Sequence, residues 1–207
     1  ILTAAAKSLI YELLPTVDGL PTRLSSRASA AALVETLNFD SRSSLHGMIN
    51  LHTNPQGFIK DTSMQKVIMN SLSDGALREL SHDNKDAEDQ MMLLSNFFEA
   101  VAKTFPEAWN GQKPKTSRLV HSAGIVAMGF VMEQIFSMTR SPEVSDFLPY
   151  LEKLKPHCAW TQGDWEFSPG YKKPWNKIQF IASDYLELSQ YLLRIIKRKS
   201  HSKTITH

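Results

Sequence analysis

Apolar residues recur at three- and four-residue spacing along most of the chain, the pattern of helices that each bury one face. Leu2, Ala5, Ala6, Leu9, Ile10, Leu13 and Leu14 outline a first helix that Pro15 ends, and Asp18, Gly19 and Pro21 mark the loop after it. Ser25 or Ser26 caps a second helix through Ala28, Ala31, Ala32, Leu33 and Leu37, ended by Asn38 and Asp40. Asp61 or Thr62 caps a third, with Met64, Val67, Ile68 and Leu72 inward and Asp74-Gly75 as its break. The polar stretch 83–89 suits the first turn of a long helix whose buried stripe is Met91, Leu94, Phe97, Phe98, Val101, Ala102 and Phe105, with Pro106 closing it.

The most apolar helix is predicted to open at Ser117 and run through Leu119, Val120, Ala123, Ile125, Val126, Ala127, Phe130, Val131, Ile135 and Phe136. Apolar nearly all round, it should be the central buried helix. Gly124 and Gly129 lie inside it. Each costs about 1 kcal/mol against alanine, which implies close contact with a neighbour. Ser141-Pro142-Glu143 opens a short helix with Val144, Phe147, Leu148, Leu151 and Leu154 inward. Asn176 caps a last one, with Ile178, Ile181, Ala182, Tyr185, Leu186, Leu188, Leu192 and Ile195 inward.

Two segments break the helical period. Residues 48–53 and 58–60 are β-prone runs on either side of Asn54-Pro55-Gln56-Gly57, a strong turn signal, and predict a small hairpin as the sole β structure. Residues 155–174, with Trp160, Trp165, Phe167 and Tyr171 among several glycines and prolines, read as an irregular aromatic loop. The expected fold is mainly α. It is a single helical domain over residues 1–207, about six or seven helices around one buried helix, with one small β-hairpin.

Composition changes this picture little. With 42% apolar and 21% charged residues, the chain is not a disordered, collagen-like or disulfide-scaffold sequence. Its single cysteine, Cys158, excludes an internal disulfide and a cysteine zinc site. The longest apolar run, residues 123–132, falls short of the roughly 18 residues that span a bilayer. The expectation is a cytoplasmic protein with no membrane partner.

Charge is more informative. The net charge is +2, yet Arg194, Lys197, Arg198, Lys199 and Lys203 crowd the C-terminal end, with no acid between Arg194 and His207. Without them the rest of the chain would be at −3. Such a tail suits either the negative end of a helix dipole or nucleic-acid phosphates, which it would bind with strong salt dependence and no sequence preference. Trp175, with Lys172 and Lys173 beside it, adds the elements of a base-stacking surface. The candidate nucleic-acid contacts are Arg194, Lys197, Arg198, Lys199, Lys172, Lys173 and Trp175. Trp160 and Trp165 extend the same stacking surface; the alternative for all three tryptophans is that, in a glycine- and proline-rich loop, they pin that loop over the core.

Catalytic chemistry finds no support in the motifs. There is no phosphate-binding loop, dinucleotide fingerprint or zinc-protease motif. His46 and His52 have no nearby acids to make a metal site, and His121 reads as a satisfied core histidine. Cys158 has His157, Lys153 and Lys155 nearby but no oxyanion device. The serines of 41–44 lack a base, and the acids Asp83, Asp86, Glu88 and Asp89 read as a solvated helix start. Expected catalytic residues, cofactors and metals are therefore none.

Three stretches taken together resemble the DGQHR-domain family, which includes the regulator of DNA phosphorothioation systems. They are Ser43-Ser-Leu-His-Gly-Met-Ile49 with Gly57-Phe-Ile-Lys60; Leu94-Ser-Asn-Phe-Phe-Glu-Ala-Val-Ala-Lys-Thr-Phe-Pro-Glu-Ala-Trp109; and Lys173-Pro-Trp-Asn-Lys-Ile-Gln179. They follow the family's order over about two thirds of the chain. The Asp-Gly-Gln-His-Arg signature is absent, and the chain begins at Ile1. The resemblance thus implies the C-terminal helical part of a longer protein, acting in DNA-modification regulation or phage defence by binding DNA or a partner. One such partner would be its own N-terminal part. The other expectation is a protein-interaction lobe with no nucleic-acid contact.

Overall fold

The computed structural model describes residues 22–81 and 86–198. The first predicted helix, Lys199 and Lys203 lie outside the described residues. Within them run eight α-helices: α1 (Thr22–Phe39), α2 (Asp61–Asp74), α3 (Ala76–Glu79), α4 (Asp86–Thr104), α5 (Pro106–Trp109), α6 (Ser122–Thr139), α7 (Val144–Leu154) and α8 (Ala182–Lys197). The strands are β1 (Ile49–Asn50), β2 (Ile59–Lys60), β3 (Asp164–Ser168) and β4 (Tyr171–Pro174). The molecule is mainly α with one small antiparallel hairpin, as its periodicity predicts.

Helix α6 lies at the centre, against α2, α7 and α8. Twelve of its residues are buried, among them Ile125, Met128, Val131, Met132 and Ile135. It is long and apolar enough to cross a membrane, more so than the ten-residue run suggested, but 67% of it is buried inside the protein's own core. That core is one continuous cluster joining every helix from α1 to α8.

The helix opens at Ser122, five residues later than Ser117. Residues 117–121 are held in a tight irregular turn: the Ser117 hydroxyl accepts the Leu119 N–H at 3.1 Å, and the Arg118 N–H donates to the Trp160 carbonyl at 2.8 Å. The two glycines then have different roles. Gly129 faces Val67 of α2, the expected close helix contact. Gly124 faces the chain's own carbonyls at Arg118 and Leu119.

Three other boundaries move. Helix α1 starts at Thr22 rather than after Ser25 or Ser26. Helix α7 starts at Val144, after Glu143 rather than Pro142. Helix α8 starts at Ala182, while Asn176 sits in a 3₁₀ turn, Trp175–Lys177. Its inward face is Leu188, Tyr191, Leu192, Ile195 and the buried Asp184, leaving Ile181, Ala182 and Leu186 exposed.

The hairpin is not where the turn signal placed it. β1 and β2 make a two-residue parallel bridge, Ile49 to Ile59 and Asn50 to Lys60. The chain between them loops back instead of reversing. Asn54 donates its amide to the carbonyls of Gly47 and Ile49, both at 2.9 Å, and Asn50 donates to those of Pro55 and Gly57. The antiparallel pair is β3 with β4, inside the segment expected to be irregular. Trp165 and Phe167 point inward and Glu166 and Ser168 outward, the period of a half-buried strand. The turn is Pro169-Gly170, with Gly170 at φ +82°, the left-handed position that a proline-glycine turn supplies.

Candidate nucleic-acid interface

Aromatic packing fixes the hairpin on α8. Trp165 is fully buried and meets Trp160 edge-on at 4.8 Å and Tyr191 of α8 at 6.1 Å, while Phe167 meets Tyr191 at 5.3 Å. Trp160 and Trp165 are core residues, in keeping with the loop-pinning reading.

The hairpin tip and the C-terminal half of α8 enclose an open groove of about 530 Å³, lined by Phe167, Ser168, Tyr171, Glu187, Gln190, Leu193, Arg194 and Lys197. A second hollow of about 270 Å³ shares Phe167, Ser168 and Arg194 and adds Arg198, Glu166 and His157. On α8, positions 187, 190, 194 and 197 are three or four apart, so they form one stripe. That spacing was available in the sequence. The groove's other wall is not legible there, because the glycines and prolines of residues 155–174 read as a loop.

The expected contacts separate into two groups. Arg194 and Lys197 come together on the groove and Arg198 lies on the adjoining hollow, and none pairs with a carboxylate among the described residues. Arg194 donates to the Phe167 carbonyl at 2.8 Å, which aims its guanidinium along the groove wall. Lys172 and Lys173 do something else. Lys172 faces Glu166 across the hairpin at 3.7 Å. Lys173 reaches Glu187 at 2.8 Å and Asp184 at 3.2 Å. Burial works against the Lys173 charge, but the two carboxylates outweigh it and raise its pKa above the ordinary lysine value. The hairpin lysines therefore neutralise the acids that border the groove. Trp175 stands apart, half-buried, with the Arg118 guanidinium 5.8 Å from its ring centre.

The other titratable candidates are dispersed. His46 and His52 are exposed, and no group of three or more metal-binding side chains forms among the described residues. Ser44 bonds Ser95 of α4 through both its N–H and its hydroxyl. Glu88 pairs with Arg42 at 2.6 Å. Burial pushes the Cys158 thiol up, the reverse of what a nucleophile needs.

His121 is a half-buried histidine with a satisfied ring nitrogen, but at the start of α6 rather than inside it: it caps the helix, its Nδ1 accepting the Ala123 N–H at 3.2 Å. Burial, then the charges of Arg118 and Lys60, lowers its pKa to about 4. Protonation would place a hydrogen on the capping nitrogen. The unfolded chain binds that proton near the ordinary value of about 6.5. Stability from the neutral ring is therefore complete above about pH 6.5 and fades as pH falls toward 4. The ring is partly open to water, so the loss should be about 1–2 kcal/mol rather than the full linkage value. His121→Asn keeps a capping oxygen and does not titrate. Its denaturant midpoint should fall less than the wild type's between pH 6.5 and 4, and equal slopes would contradict the capping account.

No family model, curated protein or solved structure matches the chain.

Proposed function

We propose that the chain is a non-catalytic helical module that binds the phosphate backbone of DNA through the basic end of α8. The resemblance of its sequence to DGQHR-domain proteins supports a role for that binding in bacterial DNA-modification regulation or phage defence. The observation that carries the reading is the charge arrangement at the groove. Arg194 and Lys197 lie on it and Arg198 on the adjoining hollow, without carboxylate partners among the described residues, while Glu166 and Glu187 are held by Lys172 and Lys173. A helix dipole alone would favour the same cations, but it does not require the facing acids to be neutralised.

Each phosphate contact adds about −0.9 to the slope of log affinity against log salt. Reversing two cations in Lys197→Glu/Arg198→Glu should therefore make the slope about 1.8 shallower and weaken binding about tenfold or more at low salt. Fluorescence anisotropy with a labelled duplex, over a salt series, reads both. Absence of wild-type binding at low salt would end the DNA reading.

A second reading, a protein-interaction lobe with no nucleic-acid contact, is favoured by the exposed Phe180, Ile181 and Leu186 at the start of α8. Exposed apolar side chains grouped in this way are what a protein partner covers.

A further inference from the structure

We propose that the groove between the hairpin and α8 receives an unstacked base from a single nucleic-acid strand, seated on the Tyr171 ring with the flanking phosphates on Arg194 and Lys197. The inference rests on the phosphate-binding reading above and adds the form of nucleic acid that it selects.

Tyr171 is the first residue of β4 and stays 43% exposed while the aromatic residues behind it are buried. Its ring does not hang free. Phe167 lies behind it at 5.8 Å, tilted by 35°, and its hydroxyl reaches toward Glu187 Oε2 at 3.4 Å. An exposed aromatic ring held at both ends is a ready stacking platform, with little rotamer freedom left to lose on binding. Across the groove stand the two cations, and Ser168 and Gln190 supply hydrogen-bonding groups. A volume of about 530 Å³ lies within the range of roughly 300–1,000 Å³ that small-molecule sites occupy.

These parts distinguish a strand from a duplex. Both present phosphates to Arg194 and Lys197. In a duplex, however, each base is stacked on its neighbours, so the tyrosine finds no face to cover. In a single strand the base is free to stack, and every base has such a face, so the site tolerates any sequence. An acidic peptide would satisfy the cations and leave the ring unused.

The test compares a labelled thymidine 15-mer with a 15-base-pair duplex by anisotropy at low salt, for wild type, Tyr171→Ala and Tyr171→Phe. Wild type should bind the strand more tightly. Tyr171→Ala should lose roughly tenfold on the strand and nothing on the duplex, while Tyr171→Phe keeps the strand preference. Tyr171 lies at the surface, and circular dichroism checks that the variants fold. Equal losses on both ligands, no loss on either, or displacement of the strand by polyglutamate of the same charge would overturn the stacking site and leave phosphate binding standing. If wild type binds neither ligand, the phosphate reading itself falls.

Discussion

Gly124→Ala should lower stability by about 3 kcal/mol or more, at or past the upper end of the usual cost of overpacking an interior. A β-carbon at this position would lie 2.0 Å from the Arg118 carbonyl oxygen, 2.6 Å from the Leu119 carbonyl oxygen and 2.8 Å from Leu119 Cα. All three are backbone atoms, and the segment carrying them cannot retreat. Its Arg118 N–H is bonded to Trp160, its Leu119 N–H to the Ser117 hydroxyl, and Leu119 and Val120 are buried. For a chain of this size the melting temperature should drop by about 6–12 °C. Gly129→Ala supplies the contrast within the same helix. Its β-carbon would meet a side chain rather than backbone, the two methyls of Val67 at 2.8 Å and its Cβ at 3.3 Å, a clash that a small shift of α2 against α6 relieves. A loss of about 1–2 kcal/mol is expected there, reduced further by the helix propensity of alanine. Thermal melts of the two variants decide the matter. Equal losses would mean that the turn before α6 yields as easily as a side chain does.

The same glycine shows what the sequence could and could not convey. Helical spacing of Leu, Ile, Val and Phe is a local property repeated over many residues, so the existence of α2, α4, α6 and α7 and the burial of α6 were legible. Helix starts were less so, because tertiary bonds set them. Ser117 is a good capping residue, but its hydroxyl closes a turn instead, and the cap passes to His121. The hairpin failed for a related reason. Asn54-Pro55-Gln56-Gly57 does turn the chain, but the amides of Asn50 and Asn54 fold the loop back on β1, and the result is a parallel bridge. The true hairpin carries the alternation Trp165, Glu166, Phe167, Ser168 before Pro169-Gly170. Prolines and glycines around it hid a pattern only five residues long. For the candidate interface, the basic run on α8 was plain. The neutralising role of Lys172 and Lys173 was not, since Glu166 reaches Lys172 only once the hairpin forms, and Asp184 and Glu187 reach Lys173 only once it packs on the helix.

That role yields the second large effect. Lys173→Met should cost about 2 kcal/mol, less than the 3–5 kcal/mol for breaking a fully buried ion pair. Asp184 would keep only the Gln179 N–H, at 2.8 Å, and it is only 8% exposed. Water still reaches Glu187 and part of the lysine stem, which softens the penalty. The raised lysine pKa sets the pH behaviour. Its contribution is fully present below the unfolded value of about 10.4 and is lost only as pH climbs through the higher folded value. The lysine's own titration should therefore leave the gap between wild type and variant constant near neutral pH and narrow it only in strong alkali. Binding gives an independent measure. If Lys173 touched phosphate directly, Lys173→Met would weaken duplex binding and Glu187→Gln would change little. If it neutralises the groove's acids, Lys173→Met weakens binding by freeing two carboxylates, and Glu187→Gln strengthens it by removing one, with Asp184 still pairing the lysine. Anisotropy at low salt separates the two accounts. A Glu187→Gln protein that binds no better than wild type would show that the acids beside Tyr171 have no hold on the field in the groove.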